Sequence, residues 1–127
     1  MNAATLPSEP LADGLYNRAV KLPASLLAAA CRRFRLHFTR HALTSALNDR
    51  YGTPNLKPVI EVQPEQLVEA LVERGVPVKF VVRQPNDAQT DVVLVIRPEG
   101  EVGHVITVWV NDKNDQHSTL NKSLVAR

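Results

Sequence analysis

The sequence predicts an α+β fold in which N-terminal helices precede an antiparallel sheet of three or four strands. Two observations lead to this prediction. In the first half of the chain, apolar residues recur at the spacing of helices. From Val76 onward they form short runs rich in Val and Ile, separated by Asn, Asp, Pro and Gly, as is typical of strands and turns. With 127 residues, the chain is long enough for one domain with a single core.

The chain is expected to form a flexible arm over residues 1–22 and a single α+β domain over residues 23–127. The arm contains Pro7 and Pro10 and little periodic apolar pattern. No apolar run approaches the roughly 20 residues of a membrane span, so no membrane partner is expected. The lone Cys31 excludes an internal disulfide. These features favour a cytoplasmic site of action, and export by another route stays open.

Three helices are predicted in the first part of the domain. Pro23 suits a first helical turn and opens a helix over residues 24 to about 34. Thr39 suits the N-cap of a second helix, over residues 40 to about 51. The third is predicted over residues 64 to about 74, because apolar residues there form a stripe at helical spacing.

Three strands of an antiparallel meander are predicted after these helices, in sequential order. They cover residues 78–84, 91–97 and 104–110. Residues 36–38 and 59–62 leave open two further brief strands. Helices are expected to cover one face of the resulting sheet.

Residues 32–41 concentrate the side chains that suit chemistry on a phosphate. Six of the ten are Arg or His, and His37 and His41 stand four residues apart among four arginines. Arg stays charged at any biological pH, whereas His gains or loses a proton near neutrality. The segment therefore suits a site that holds a phosphodiester and moves protons; the alternative is a solvated basic strand edge. Residues 1–60 carry a net charge of +5 and residues 61–127 one of −3, which can create a basic face.

No cofactor and no metal ion is expected from the motifs present. The sequence has no glycine-rich phosphate loop, no Gly-x-Ser-x-Gly, no CxxC and no HExxH. His37 and His41 have zinc spacing only if both lie on one helix, and His37 is predicted to precede the helix. The acidic cluster that begins at Asp112 lacks the EF-hand pattern.

Cleavage of RNA without a metal needs only groups that this chain contains. A base removes the proton of the 2′-hydroxyl, an acid protonates the departing 5′-oxygen, and cations or hydrogen-bond donors stabilise the phosphoryl oxygens. Arg, Lys, His, Thr and Ser supply these functions, and the chain places them at the edges of the predicted strands and helices.

Two local patterns resemble one group of small ribonucleases. Residues 37–42 read His-Phe-Thr-Arg-His-Ala and precede Arg50; residues 104–112 read His-Val-Ile-Thr-Val-Trp-Val-Asn-Asp and precede Asp115, His117 and Thr119. With the predicted element order, these patterns resemble the barnase–EndoU–colicin–RelE group over about residues 30–121. One departure is that the aromatic residue expected after Leu120 is missing.

This resemblance implies metal-independent cleavage of RNA by a toxin-like or phage-borne module. The implied partners are RNA, tRNA included, and a cognate immunity or antitoxin protein. By position, the functional residues of the group fall on the following side chains: His41, Arg50, Thr107, His117 and Thr119.

The predicted mechanism has His41 as general base or acid and His117 as its counterpart. A helix N-terminus favours the neutral imidazole that a base must be. Arg50 and Thr107 complete the predicted catalytic set. The predicted substrate-binding residues are His37, Arg40, Arg83, Arg97 and Thr119. We expect His37 or His41 to lie near Arg83, Arg97 or Thr107, in a basic groove where the open sheet face meets the second helix.

The alternative function is a binding module without chemistry. A phage or accessory protein on the same scaffold can grip RNA or a host protein with the same basic residues. An immunity protein or antitoxin fits less well, because such proteins present acidic surfaces to nucleases rather than surfaces rich in Arg and His.

Overall fold

The computed structural model of the chain describes residues 12–17, 22–47 and 54–113. Within these ranges, seven strands form one mixed sheet in the order β1-β4-β5-β6-β7-β2-β3. The elements are β1 (Gly14–Asn17), α1 (Ala24–Ala30), β2 (Arg33–Phe38), α2 (Arg40–Leu47), β3 (Val59–Glu61), β4 (Leu67–Glu73), β5 (Val76–Pro85), β6 (Thr90–Glu99) and β7 (Val102–Asp112). Neighbouring strands are antiparallel except β2 and β7, which are parallel.

The predicted fold class, N-terminal helices followed by a three- or four-stranded antiparallel sheet, is wrong. The three meander strands are present and slightly longer than predicted, as β5, β6 and β7. Four further strands extend the sheet on both sides of the meander. They lie in segments predicted as arm, helix or brief strand; β1, for example, falls within residues 1–22 and pairs with β4.

The predicted third helix is instead a 3-10 turn, Pro64–Gln66, followed by the strand β4. β4 lies between β1 and β5, so both of its edges are hydrogen-bonded. Leu67 and Val72 contact the core beneath the helices, whereas Val68 and Leu71 contact the opposite face. Adjacent apolar residues of β4 thus pack on two opposite faces of the sheet. Their spacing along the sequence is the same as that of the apolar stripe of an amphipathic helix.

The predicted first helix is too long by about four residues. α1 ends at Ala30, and β2 starts at Arg33 and contains Phe34. Residues 33–38 alternate between basic and apolar side chains, which is the period of a strand with one buried face.

The second helix begins at Arg40 as predicted. Thr39 caps it, because its Oγ1 accepts a hydrogen bond from the backbone N–H of Ala42 at 3.1 Å. The described part of α2 reaches Leu47, and the predicted end near residue 51 lies outside the described residues.

Both helices pack on the same face of the sheet, called here the helix face. Its core includes Leu26 of α1, Ala42 of α2 and the rings of Phe34 and Phe80, whose centroids are 5.6 Å apart. The opposite face, called here the second face, has an apolar cluster of its own. That cluster is Val68, Val81, Val93 and Val95, with Leu15, Leu71, Ile106 and Trp109 packed against it. No helix in the described part of the chain is long and apolar enough to cross a membrane.

Candidate functional site

Two imidazoles meet on the second face where β2 lies beside β7. Phe34, Leu36 and Phe38 of β2 pack into the helix-face core, so alternation places His37 on the opposite side. His37 is in register with His104 of β7. Their Nδ1 atoms are 3.2 Å apart, and the ring planes are nearly perpendicular, at 81°. This distance and the exposed position of His37 make the pair a hydrogen-bonded group that a substrate can reach.

A carboxylate continues the hydrogen bonding on the other side of His104. Nε2 of His104 lies 2.8 Å from Oε1 of Glu99, at the end of β6. The hydrogen bond from His104 is the largest cause that lowers the pKa of the Glu99 carboxyl, followed by the charge of the same imidazole, with a smaller contribution from Arg97. His104 is 17% exposed and Glu99 71% exposed, so the carboxylate holds His104 from the solvent side.

The order of these three groups fixes where the protons sit. A carboxylate only accepts hydrogen bonds, so Nε2 of His104 carries the proton that faces Glu99. When His104 is neutral, its Nδ1 is an acceptor, and Nδ1–H of His37 is the donor to it. This leaves a lone pair on Nε2 of His37, which has no hydrogen-bond partner among the described residues. When both imidazoles are neutral, the Glu99–His104–His37 chain therefore presents a nitrogen lone pair at the surface.

Three exposed arginines surround this chain on the second face. Arg97 of β6 is directly opposite His104, and Arg35 is two residues before His37 on the same side of β2. Arg33 lies further along β2, opposite Glu61 of β3. Guanidinium groups at these positions can hold phosphate oxygens close to the two imidazoles.

The structure brings together only some of the residues that the sequence analysis selected. His37 and Arg97 lie on the same face, on strands that are both neighbours of β7. Thr107 is also on β7 and is opposite Val95, beyond a register shift that separates it from the His104 end. Arg40 and His41 are exposed in the first turn of α2, the helix that packs on the helix face.

Arg83 lies at the other end of the strands, away from the His37 site. The Arg83 side chain is 8% exposed, its Nε is 3.2 Å from Oδ2 of Asp91, and it donates to the carbonyl of Asp112 at 2.7 Å. These contacts indicate that Arg83 stabilises the packing of the sheet and is not part of the His37 site. Three of the predicted site residues lie outside the described ranges, namely Arg50, His117 and Thr119.

Sequence reasoning missed His104 and Glu99 as site residues. His104 was placed in a strand, but nothing in the sequence indicated that this strand pairs with residues 33–38. The alternation of Arg33 to Phe38 was the available signal, since it predicts a strand that directs His37 away from the core. No group of three or more His, Cys, Asp or Glu side chains in the described ranges is arranged to hold a metal ion.

Comparison of the chain with protein families, with curated proteins and with solved structures finds no match. The chemistry of the Glu99–His104–His37 chain and its arginines is therefore the basis for a functional proposal.

Proposed function

We propose that the protein is an endoribonuclease that cleaves RNA by attack of the 2′-hydroxyl on the adjacent phosphorus, without a metal ion. The observation that supports this function is the Glu99–His104–His37 chain, which lies beside exposed arginines at the end of the second face where His37 is exposed. Two imidazoles, a carboxylate and guanidinium groups are the types of group that this reaction needs.

His37 acts as the general base in this proposal. Its Nε2 takes the proton of the 2′-hydroxyl while the oxygen forms a bond to phosphorus. The imidazolium that results keeps its Nδ1–H···Nδ1 hydrogen bond to His104, and the negative charge of Glu99 stabilises it through His104. Glu99 thus orients the imidazoles and compensates their charge without taking up the proton itself.

Arg97 and Arg35 stabilise the phosphate in this arrangement. Negative charge grows on the non-bridging oxygens as the 2′-oxygen attacks, and it grows on the 5′-oxygen as the P–O bond breaks. Arginines on both sides of the imidazoles are close to that charge. The proton for the 5′-oxygen comes from a second group, for which His41 and His117 are the sequence-based predictions.

The test is cleavage of a single-stranded RNA by the purified protein in EDTA. We expect products that end in a 2′,3′-cyclic phosphate, and no cleavage at a position that carries a single 2′-deoxy substitution. His37→Ala should lower the rate by about 10²- to 10⁴-fold, as removal of a general base does. Cleavage that persists at the deoxy position, or an unchanged rate in His37→Ala, would overturn the proposal.

His41→Ala is the matched comparison, because His41 is an exposed imidazole only four residues away. A loss as large as that of His37→Ala assigns the acid to His41, whereas full activity excludes His41 as the acid. The alternative function, RNA binding without chemistry, follows if the wild-type protein binds the RNA and cleaves none of it between pH 5 and 8. In that case binding should weaken as salt is added.

A further inference from the structure

The second face carries the one tryptophan of the chain. Trp109 lies on β7 and packs, partly exposed, against the apolar cluster that includes Val93 and Val95. The two helices cover the other side of the sheet. The indole and the His37–His104 pair are therefore on the same face of the molecule.

Trp109 and His104 are separated along one strand by a defined distance. His104 is opposite Arg97 on β6, and Trp109 is opposite Val93. The two partner positions on β6 are four residues apart, and four residues of a strand span about 13 Å, at about 3.3 Å per residue. The side chain of Thr107, opposite Val95, lies between the two ends. An aromatic surface thus lies a few nucleotides from the proposed site of cleavage.

We propose that the second face binds single-stranded RNA along β7, with an unpaired base stacked on Trp109 and the scissile phosphate at His37. This inference rests on the proposed function and adds the substrate class to it. Proteins that bind single strands combine cations that follow the backbone with aromatic rings on which bases stack. The bases of a duplex are already stacked on each other, so they do not offer a free face to an indole on a sheet.

The charges on this face fit a polyanion better than a peptide. Arg33, Arg35 and Arg97 are exposed at the His37 end. Two acidic groups at this end already face cationic or imidazole partners: Glu99 is bonded to His104, and Glu61 is opposite Arg33 in the sheet. An aromatic ring at one end and arginines at the other match the alternation of base and phosphate in a nucleic acid strand.

The fluorescence of the wild-type protein tests this inference directly, because every change in tryptophan emission comes from Trp109. The ligand is a 2′-O-methyl hexanucleotide, which cannot be cleaved because its 2′-oxygens are blocked. We expect the single strand to quench the emission in a saturable, salt-dependent way. A duplex of the same sequence should give no quenching at the same concentration. Equal quenching by the duplex, or binding of the single strand without any change in emission, would overturn the inference.

Two substitutions at the same position separate stacking from packing. Trp109→Phe keeps an aromatic ring, whereas Trp109→Leu keeps only an apolar contact with the cluster beneath. Measured by anisotropy of a labelled hexanucleotide, Trp109→Leu should bind about five- to a hundredfold more weakly, and Trp109→Phe should retain most of the affinity. Circular dichroism and urea unfolding confirm that both variants are folded. Unchanged affinity in a folded Trp109→Leu variant contradicts stacking.

The results also distinguish this inference from the proposed function. Quenching by the single strand without cleavage of RNA overturns the ribonuclease and supports the binding mode. Cleavage of duplex RNA at least as fast as single-stranded RNA supports the ribonuclease and overturns the binding mode. If neither RNA form binds, and a protein partner binds this face instead, both are wrong.

Discussion

The Nδ1 atoms of His37 and His104 are 3.2 Å apart, although 67 residues separate the two histidines in the sequence. They meet because β2 inserts between β3 and β7 and runs parallel to β7. β6, on the other side of β7, contributes Glu99 and Arg97. One strand order therefore assembles a carboxylate, two imidazoles and a guanidinium from three strands.

Glu99→Gln tests whether the carboxylate acts through its charge. The amide keeps an oxygen that can accept the hydrogen bond of His104 but removes the negative charge. We expect a smaller loss of rate than the about 10²- to 10⁴-fold loss in His37→Ala. The loss should appear in kcat rather than in KM, because the charge of Glu99 stabilises the imidazolium that forms only as the 2′-hydroxyl loses its proton.

A purely structural role for Glu99 would lower the free energy of unfolding of the variant rather than kcat alone. Glu101→Gln is the matched control, since it removes an exposed carboxylate two residues further along the chain. An unchanged kcat in Glu99→Gln would show that the charge of Glu99 does not act on His37.

Gly103→Ala should destabilise the sheet where the site is built. A Cβ at this position would lie 3.0 Å from Cγ2 of Ile96 and 3.2 Å from Cδ2 of Leu36. Ile96 is fully buried, so its methyl group has little room to shift. Overpacking of this kind costs about 1–3 kcal/mol, which urea unfolding can measure.

The same substitution should also lower the activity of the protein that remains folded. Gly103 is in register with Leu36 and precedes His104. A Cβ at Gly103 that pushes β7 away from β2 should therefore increase the distance between the two imidazoles. Full stability and full activity in Gly103→Ala would mean that the strands adjust without cost.

The meander was predictable because its signals are local. β5, β6 and β7 are runs of alternating, Val-rich sequence with turn residues between them, and each run is long enough to define its period. β4 was not predictable in the same way. Val68 and Leu71 face one side and Leu67 and Val72 the other, so burial on two faces produced the spacing of a helix.

The site was only partly predictable, for a different reason. The composition of residues 32–41 indicated imidazoles and arginines near a phosphate, and His37 and Arg97 do lie on one face of the sheet. The pairing of His37 with His104 depends on which distant strands become neighbours. That choice is made by the packing of the whole sheet, so no local pattern names His104 or Glu99 as partners.

Asp87 should stabilise the β5–β6 turn in a pH-dependent way. Its Oδ1 accepts hydrogen bonds from the backbone N–H groups of Gln89 and Thr90, both at 2.8 Å. The bond from Gln89 and then those from Thr90 lower the pKa of this carboxyl. A lowered folded-state pKa contributes stability above the unfolded value of about 3.9, and this contribution is lost as the pH falls through the folded value.

Asp87→Ala should therefore lower the urea midpoint at pH 7, and its difference from wild type should shrink below about pH 4. Asp87→Asn is the control, because its amide oxygen can still accept the two backbone hydrogen bonds. A difference between Asp87→Ala and wild type that is equally large at pH 7 and pH 3 would contradict the role of the charge.

Asp91→Asn should cost far more stability than loss of a surface charge. Asp91 binds Nε of Arg83 at 3.2 Å and Nζ of Lys113 at 2.7 Å. Arg83 is 8% exposed and Asp91 17% exposed, so the substitution leaves a nearly buried guanidinium beside a neutral amide. Breaking one side of such a pair costs about 3–5 kcal/mol. Lys113→Gln removes the more exposed partner and should cost about 1 kcal/mol or less.

Activity measurements on Arg83→Gln decide which role Arg83 has. If Arg83 packs the sheet, as its contacts indicate, the rate of RNA cleavage per folded molecule should equal that of wild type. The measurement combines urea unfolding with initial rates at a temperature where the variant is folded. A weaker affinity for RNA without any loss of stability would return Arg83 to the substrate-binding residues, where the sequence analysis placed it.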